Sequence, residues 1–220
     1  MKKILKLEKV FTPSYYRWII LPVSVVVMIL LGSFMTAGLG ELGFVIAVFL
    51  DTEVLLFSDM VVFNGVSTKN TKYKLLMSSN NGRDVLKGGL LVDNLYRFCQ
   101  QLLVGVACWL GAKMLDKDGT ASFGFIFLII MVSYMMSTFA LVLLRHINTM
   151  SMYGPILSLM SFVILIPMVV FQTLYGITGM EKISIVPIAA LVLTVIFSGL
   201  ATWLSVANVL SNYDKSFGGR

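Results

Sequence analysis

The residues able to do chemistry in this chain sit inside stretches that are otherwise apolar. Asp51, Glu53 and Asp59 interrupt one such stretch, and Asp93, Arg97, Gln100 and Gln101 open the next at spacings i, i+4, i+7 and i+8. On a helix the second set makes one polar stripe, in which Asp93 and Arg97 can pair. Asp51 and Glu53 fall about 200° apart around a helix, so they do not form a carboxylate dyad on one face. Asp59 lies near the end of its stretch, where it is expected to reach water. A charged residue in a membrane helix costs about 2.5–3.5 kcal/mol on insertion scales and rarely faces lipid. Two readings stay open for these residues: lining of a polar pathway, or pairing and hydrogen bonding that hold helices together. The stripes Ser133/Ser137 and Ser198/Thr202/Ser205 are weaker and read as packing positions.

The elements that must position these side chains follow from composition. The chain has 220 residues, 58% of them hydrophobic and only 13% charged. A soluble domain carries about a quarter charged residues, which excludes a water-soluble globule. Six continuous apolar runs come near or above the roughly 20 residues needed to cross a bilayer: 18–37, 44–63, 95–115, 122–144, 152–173 and 183–208. Unbroken apolarity excludes a β-barrel, whose strands alternate. The expected fold is all-α, a single polytopic domain over 1–220 with six transmembrane helices. The first run is too long for a signal peptide and lacks a cleavage site.

Several chemistries are unsupported. Cys99 and Cys108 fall in one run, about 13 Å apart along a helix, too far for a disulfide. One histidine, His146 beside Arg145, and the lack of a CxxC leave no metal-ligand set. With no GxxxxGK[ST], HExxH or GxSxG pattern, the chain has no catalytic residues to nominate and is not expected to be an enzyme or to bind a cofactor itself.

Charge placement sets the orientation. Of the 17 lysines and arginines, fourteen fall on one side of the runs. They are Lys2, Lys3, Lys6, Lys9, Arg17, Lys69, Lys72, Lys74, Arg83, Lys87, Arg97, Arg145, Lys215 and Arg220, against Lys113, Lys117 and Lys182 on the other. The positive-inside rule then puts both termini in the cytoplasm. The net charge of +6 is topology, not a nucleic-acid surface. The outer connections 38–43, 116–121 and 173–182 are short, as is the inner turn 145–151. The one substantial extramembrane segment is 64–94, cytoplasmic.

Within that segment, STKNTKYKLLMSS (67–79) suits a short helix, with Ser67, Asn70 or Thr71 as cap and Tyr73, Leu76 and Met77 on one side. Asn81 and Gly82 make a natural left-handed stop, and Asp84 suits the first turn of the helix entering the third span. The helix either rests on lipid headgroups or docks into a cytoplasmic partner. The first residues, MKKILKLEKV, place Ile4, Leu7 and Phe11 at helical spacing with lysines opposite, as in a helix lying on the inner leaflet.

Six spans, cytoplasmic termini and the loop KYKLLMSSNNGRDVLKGGLLVDNLYR between spans two and three resemble the permease subunit of an ABC-2 type (type V) exporter, of the small bacterial kind. Such permeases place there a lysine/tyrosine-rich helix, an SLPxxR turn and a D-[IV]-[VL] start to the third helix. Leu76, Met77, Ser78, Arg83, Asp84, Val85 and Leu86 match, while Asn80, Asn81 and Gly82 stand where the family has its proline. The resemblance implies that Lys72, Tyr73, Lys74, Leu75, Leu76, Met77, Arg83 and Asp84 couple to a separate ABC ATPase subunit, which holds ATP and Mg²⁺. It implies an interface helix over 1–17, a coupling loop over 64–94 and a second permease copy, with the route between copies lined mostly by spans one, two and five. It also implies a re-entrant external gate over 173–183 with Tyr175, Gly176 and Gly179. The substrate would be an amphipathic peptide of toxin or antimicrobial type, as for exporters of lantibiotics and phenol-soluble modulins, crossing a bacterial cell membrane. Asp51 and Glu53 would favour cationic peptides if they face that route. The alternative of equal length and topology is the vitamin-binding membrane subunit of an energy-coupling-factor importer. It needs a polar, aromatic site opening outward, whereas polarity here concentrates at the cytoplasmic side.

Overall fold

The computed structural model describes residues 16–59, 81–115, 122–146, 150–178 and 186–218. They form five α-helices, α1 (Leu21–Asp59), α2 (Gly82–Leu115), α3 (Phe123–Leu144), α4 (Met150–Thr178) and α5 (Val186–Gly218), with a π-helical turn Tyr16–Ile20 leading into α1. There is no strand among the described residues, and five helices are long and apolar enough to cross a membrane.

The first helix is not straight. Gly40 has φ 61° and ψ −132°, a non-helical conformation inside α1 that glycine reaches without a Cβ penalty. A Cβ built at Gly32 would lie 3.1 Å from the Ala47 Cβ, although fifteen residues of straight helix span about 22 Å. A Cβ at Gly43 would run into the Met35 carbonyl. The chain therefore folds back at Gly40, and residues 21–39 and 41–59 lie side by side as antiparallel limbs. The connection expected over 38–43 shrinks to a reversal at one residue, because glycines at 40 and 43 let two helix backbones touch.

Local chemistry sets the other helix starts. Ser122 caps α3, its Oγ accepting the Phe125 N–H at 3.3 Å, one of the orphan donors of a helix N-terminus. Asp84 lies in the first turn of α2 as expected, where a carboxylate offsets the helix dipole. Gly82 is not a left-handed stop. It is the first residue of α2, with the Val85 N–H donating to the Asn81 carbonyl at 3.0 Å, and Gly40 is the glycine with positive φ among the described residues. Residues 173–178 continue α4 as helix, and 179–183 lie outside the described residues.

α3 is the axis of the bundle and packs against all four other helices. In its most apolar stretch 61% of residues are buried, against 17–33% for the others. Phe125, Ile126, Ile129 and Ile130 of α3 meet Phe44, Val45 and Val48 of α1, Val104 of α2 and Ile164 and Met168 of α4 in one core. Outward faces are apolar too, with Leu30, Phe34, Leu103, Phe162, Ile166 and Trp203 exposed. Polar side chains, by contrast, are gathered inside, the arrangement expected where lipid is the solvent.

Candidate functional site

The buried polar groups form a seam running from the Asp59 end of the bundle toward its middle. At the Asp59 end four charges interlock. Arg97 of α2 donates through Nε to Asp93 Oδ2 at 2.7 Å and through Nη2 to Asp59 Oδ1 at 3.0 Å. Its Nη1 reaches the Leu55 carbonyl at 2.5 Å. Arg145, the C-cap of α3, donates through Nη2 to Asp59 Oδ1 and Asp93 Oδ2, each at 2.7 Å. Arg145 Nη1 reaches Ser205 of α5 at 3.2 Å. Two carboxylates and two guanidiniums make a neutral cluster whose Asp59, Arg97 and Arg145 side chains are only 2% exposed. Nearby, Tyr153 of α4 donates to the Leu56 carbonyl at 3.0 Å, and Asn208 of α5 to the Val142 carbonyl at 3.1 Å. α1, α2, α3 and α5 are thus tied at one end by charge-assisted bonds, the strong kind.

Further in, Asn94 donates to Thr202 Oγ1 at 2.8 Å, linking α2 to α5. Two adjacent rungs then join α1 to α2. Gln100 Nε2 donates to Asp51 Oδ1 at 3.3 Å, and Gln101 Nε2 donates to Thr52 Oγ1 at 2.9 Å. Thr52 also meets Ser133 of α3 at 2.5 Å and donates to the Val48 carbonyl at 2.8 Å. Glu53 faces the other way and accepts from Ser161 of α4 at 2.8 Å, as its angular offset from Asp51 requires.

At the opposite end, Tyr175 is buried, its hydroxyl 3.2 Å from Ser122 Oγ and its ring 5.2 Å from that of Phe125. Gly176 faces open space, and Gly179 lies outside the described residues. Between α2 and α5 a cleft of about 490 Å³ is lined by apolar residues such as Leu95, Phe98 and Leu191, with Lys87 and Asn94 among its polar ones. A neighbouring cleft of about 420 Å³ shares Lys87 and Trp203 with it and reaches the Arg83–Asp214 pair, whose atoms lie 3.1 Å apart.

The seven membrane positions singled out in the sequence therefore divide. Asp59, Asp93 and Arg97 belong to the charge cluster; Asp51, Gln100 and Gln101 to the α1–α2 rungs; Glu53 to the α1–α4 contact. Asp59 does not reach water, because Arg97 and Arg145 enclose its carboxylate. Lys72, Tyr73, Lys74, Leu75, Leu76 and Met77 lie outside the described residues, while Arg83 and Asp84 are exposed in the first turns of α2. Sequence reasoning missed the roles of Arg145 and Ser205 and gave Thr52, Asn94 and Ser161 no part. Arg145 follows a long apolar run and reads as a topology marker; its level, at the same helix end as Asp59, was the available signal. No group of three or more histidine, cysteine, aspartate or glutamate side chains able to hold a metal occurs among the described residues.

Comparisons with protein-family models, curated proteins and solved structures gave no match. Fold and site by themselves define a membrane-spanning protein, helical over its described residues, with Asp51, Asp59, Arg97 and Arg145 buried inside the bundle.

Proposed function

We propose that this chain is the permease subunit of an ATP-driven ABC exporter of amphipathic peptides, energised by a separate ATPase subunit. The two limbs of α1, about 19 residues each, fall within the roughly 17–25 residues of a membrane crossing. On this reading α1 supplies two crossings and the chain six. Both termini and the segment 60–80 then share the cytoplasmic side, in keeping with the basic residues found there.

The observation that carries the proposal is where the polar segment leaves the bundle. It connects Asp59 to Gly82, and the helices on either side are fastened to each other and to α3 and α5 through Asp59, Asp93, Arg97 and Arg145. A push on 60–80 by an ATPase is thereby passed to four helices together instead of fraying one helix end. Two copies meeting through the exposed apolar faces of α1 and α4 would frame the route.

Co-purification is the test. Expressed with the ATPase encoded beside it, the chain should retain that subunit stoichiometrically, and Leu76→Asp/Met77→Asp should release it while the membrane domain stays folded. Retention by the double variant, or tight binding of a vitamin by the chain alone, would sink the proposal.

A further inference from the structure

Five buried side-chain atoms have no partner among the described residues, and every one is an oxygen acceptor: Asp51 Oδ2, Glu53 Oε1, Asn94 Oδ1, Gln100 Oε1 and Gln101 Oε1. The shortage is one of donors or cations. Three of the five sit on the adjacent α1–α2 rungs. Gln100 and Gln101 each spend an amide N–H on α1, toward Asp51 and Thr52 respectively, which leaves both amide oxygens without a donor. Asp51, Gln100 and Gln101 are 1%, 6% and 1% exposed.

Thr52 cannot relieve the deficit. It gives its single proton to the Val48 carbonyl and takes one bond from Gln101 and one from Ser133, which uses both lone pairs. Nor can the neighbouring charges. On α2, Arg97 and Asp93 are engaged with Asp59 and Arg145 in a cluster that is already neutral. Cys108, further along the same helix, is directed to the Met28 carbonyl at 3.6 Å. On α3 the facing groups are Ser133 and Ser137; Glu53 is turned to α4; α5 sends Ser205 to Arg145. Asp51 thus holds a carboxylate inside the bundle with no counter-charge. Water could satisfy the oxygens but not the charge.

We infer that this seam binds a small monovalent cation, a proton or an alkali-metal ion, held by Asp51 Oδ2 with the amide oxygens of Gln100 and Gln101. One carboxylate and two neutral oxygens give an uncharged complex with a monovalent ion. A divalent ion would keep a surplus charge beside the single carboxylate. A cationic side chain of a peptide is too large to reach a residue that is 1% exposed. The site lies within one protomer and goes beyond the export proposal, since ATP-driven transport does not require it. Occupancy would fasten α1 to α2, and loss of the ion would free that contact.

The test uses the full purified chain in lipid nanodiscs. Thermal unfolding is followed in sodium, potassium and choline chloride of equal ionic strength, beside infrared spectra of the carboxylic-acid band across pH. An alkali ion at ten times its dissociation constant should raise Tm by about 3–6 °C. A proton instead gives no alkali response, and a carboxylic-acid band that Asp51→Asn removes. Asp51→Asn should flatten either response while leaving Tm in choline unchanged or higher, because the lone carboxylate is gone. Should that variant fail to fold, Gln101→Leu keeps the carboxylate and removes one ligand. It should weaken the alkali response roughly tenfold or move the band's disappearance by about one pH unit. Equal Tm in all three salts together with no Asp51-dependent band would mean water only, and overturns the assignment.

Discussion

Arg145 ends α3 and reaches across 86 residues of chain to Asp59, setting Nη2 2.7 Å and Nε 3.1 Å from the same carboxylate oxygen. Arg97 approaches that oxygen from α2 at 3.0 Å, so one carboxylate closes three helices. Removing one member of a buried cluster leaves an uncompensated charge, at a cost of about 3–5 kcal/mol. Arg145→Met should therefore lower Tm by roughly 10 °C. Asp59→Asn/Arg145→Met should lose less than the sum of the single variants, by about 1–3 kcal/mol. Additive losses in thermal unfolding would show the two residues to be uncoupled.

The reversal in α1 rests on glycine. Gly40→Ala places a Cβ where φ is 61°, a strain of about 1–3 kcal/mol, and Gly43→Ala drives a methyl into the Met35 carbonyl. Both should cut the yield of folded protein in detergent. Gly176→Ala meets nothing and should stay within about 0.5 kcal/mol of the parent. Size-exclusion profiles and Tm of the three variants separate the cases.

Thr52 joins three helices through one hydroxyl. Thr52→Val keeps the shape but strands Gln101 Nε2 and Ser133 Oγ, at a cost of about 1–3 kcal/mol. Ser133→Ala removes a single bond and should cost about 0.5–1.5 kcal/mol. Equal effects in thermal unfolding would show that Thr52 is not the junction.

Much of this was legible locally, and what was not is long-range. Asp93 and Arg97 pair because they stand four apart on one helix, and Asp51 and Glu53 diverge because they stand two apart. The described parts of the apolar runs are helical, α4 even across Pro155 and Pro167, and the reversal at Gly40 falls between two runs, where neighbouring glycines only partly signal it. The Asp59–Arg145 contact has no local pattern, since partners so distant in sequence meet only once the bundle is packed. Arg145 accordingly read as a flanking charge and Asp59 as a solvated one. Tyr175 was grouped with Gly176 in an external gate by resemblance. In the bundle the tyrosine packs on Ser122 and Phe125 and the glycine lies on the open face.

Topology can be checked without function. Cysteine-free protein carrying Leu39→Cys should react with a membrane-impermeant maleimide applied from outside intact cells. Ser79→Cys should react only after permeabilisation. The reverse pattern would invert the orientation, and labelling of neither position from outside would deny α1 two crossings.

The claim on which the account turns is that 60–80 couples this bundle to an ATPase. The most direct measurement is ATP hydrolysis by the permease–ATPase complex in nanodiscs, titrated with an amphipathic peptide. Saturable stimulation of several-fold, abolished by Leu76→Asp/Met77→Asp while Tm of the membrane domain is unchanged, is the predicted result. Stimulation that survives the double variant, or hydrolysis indifferent to peptide at every concentration, would contradict it.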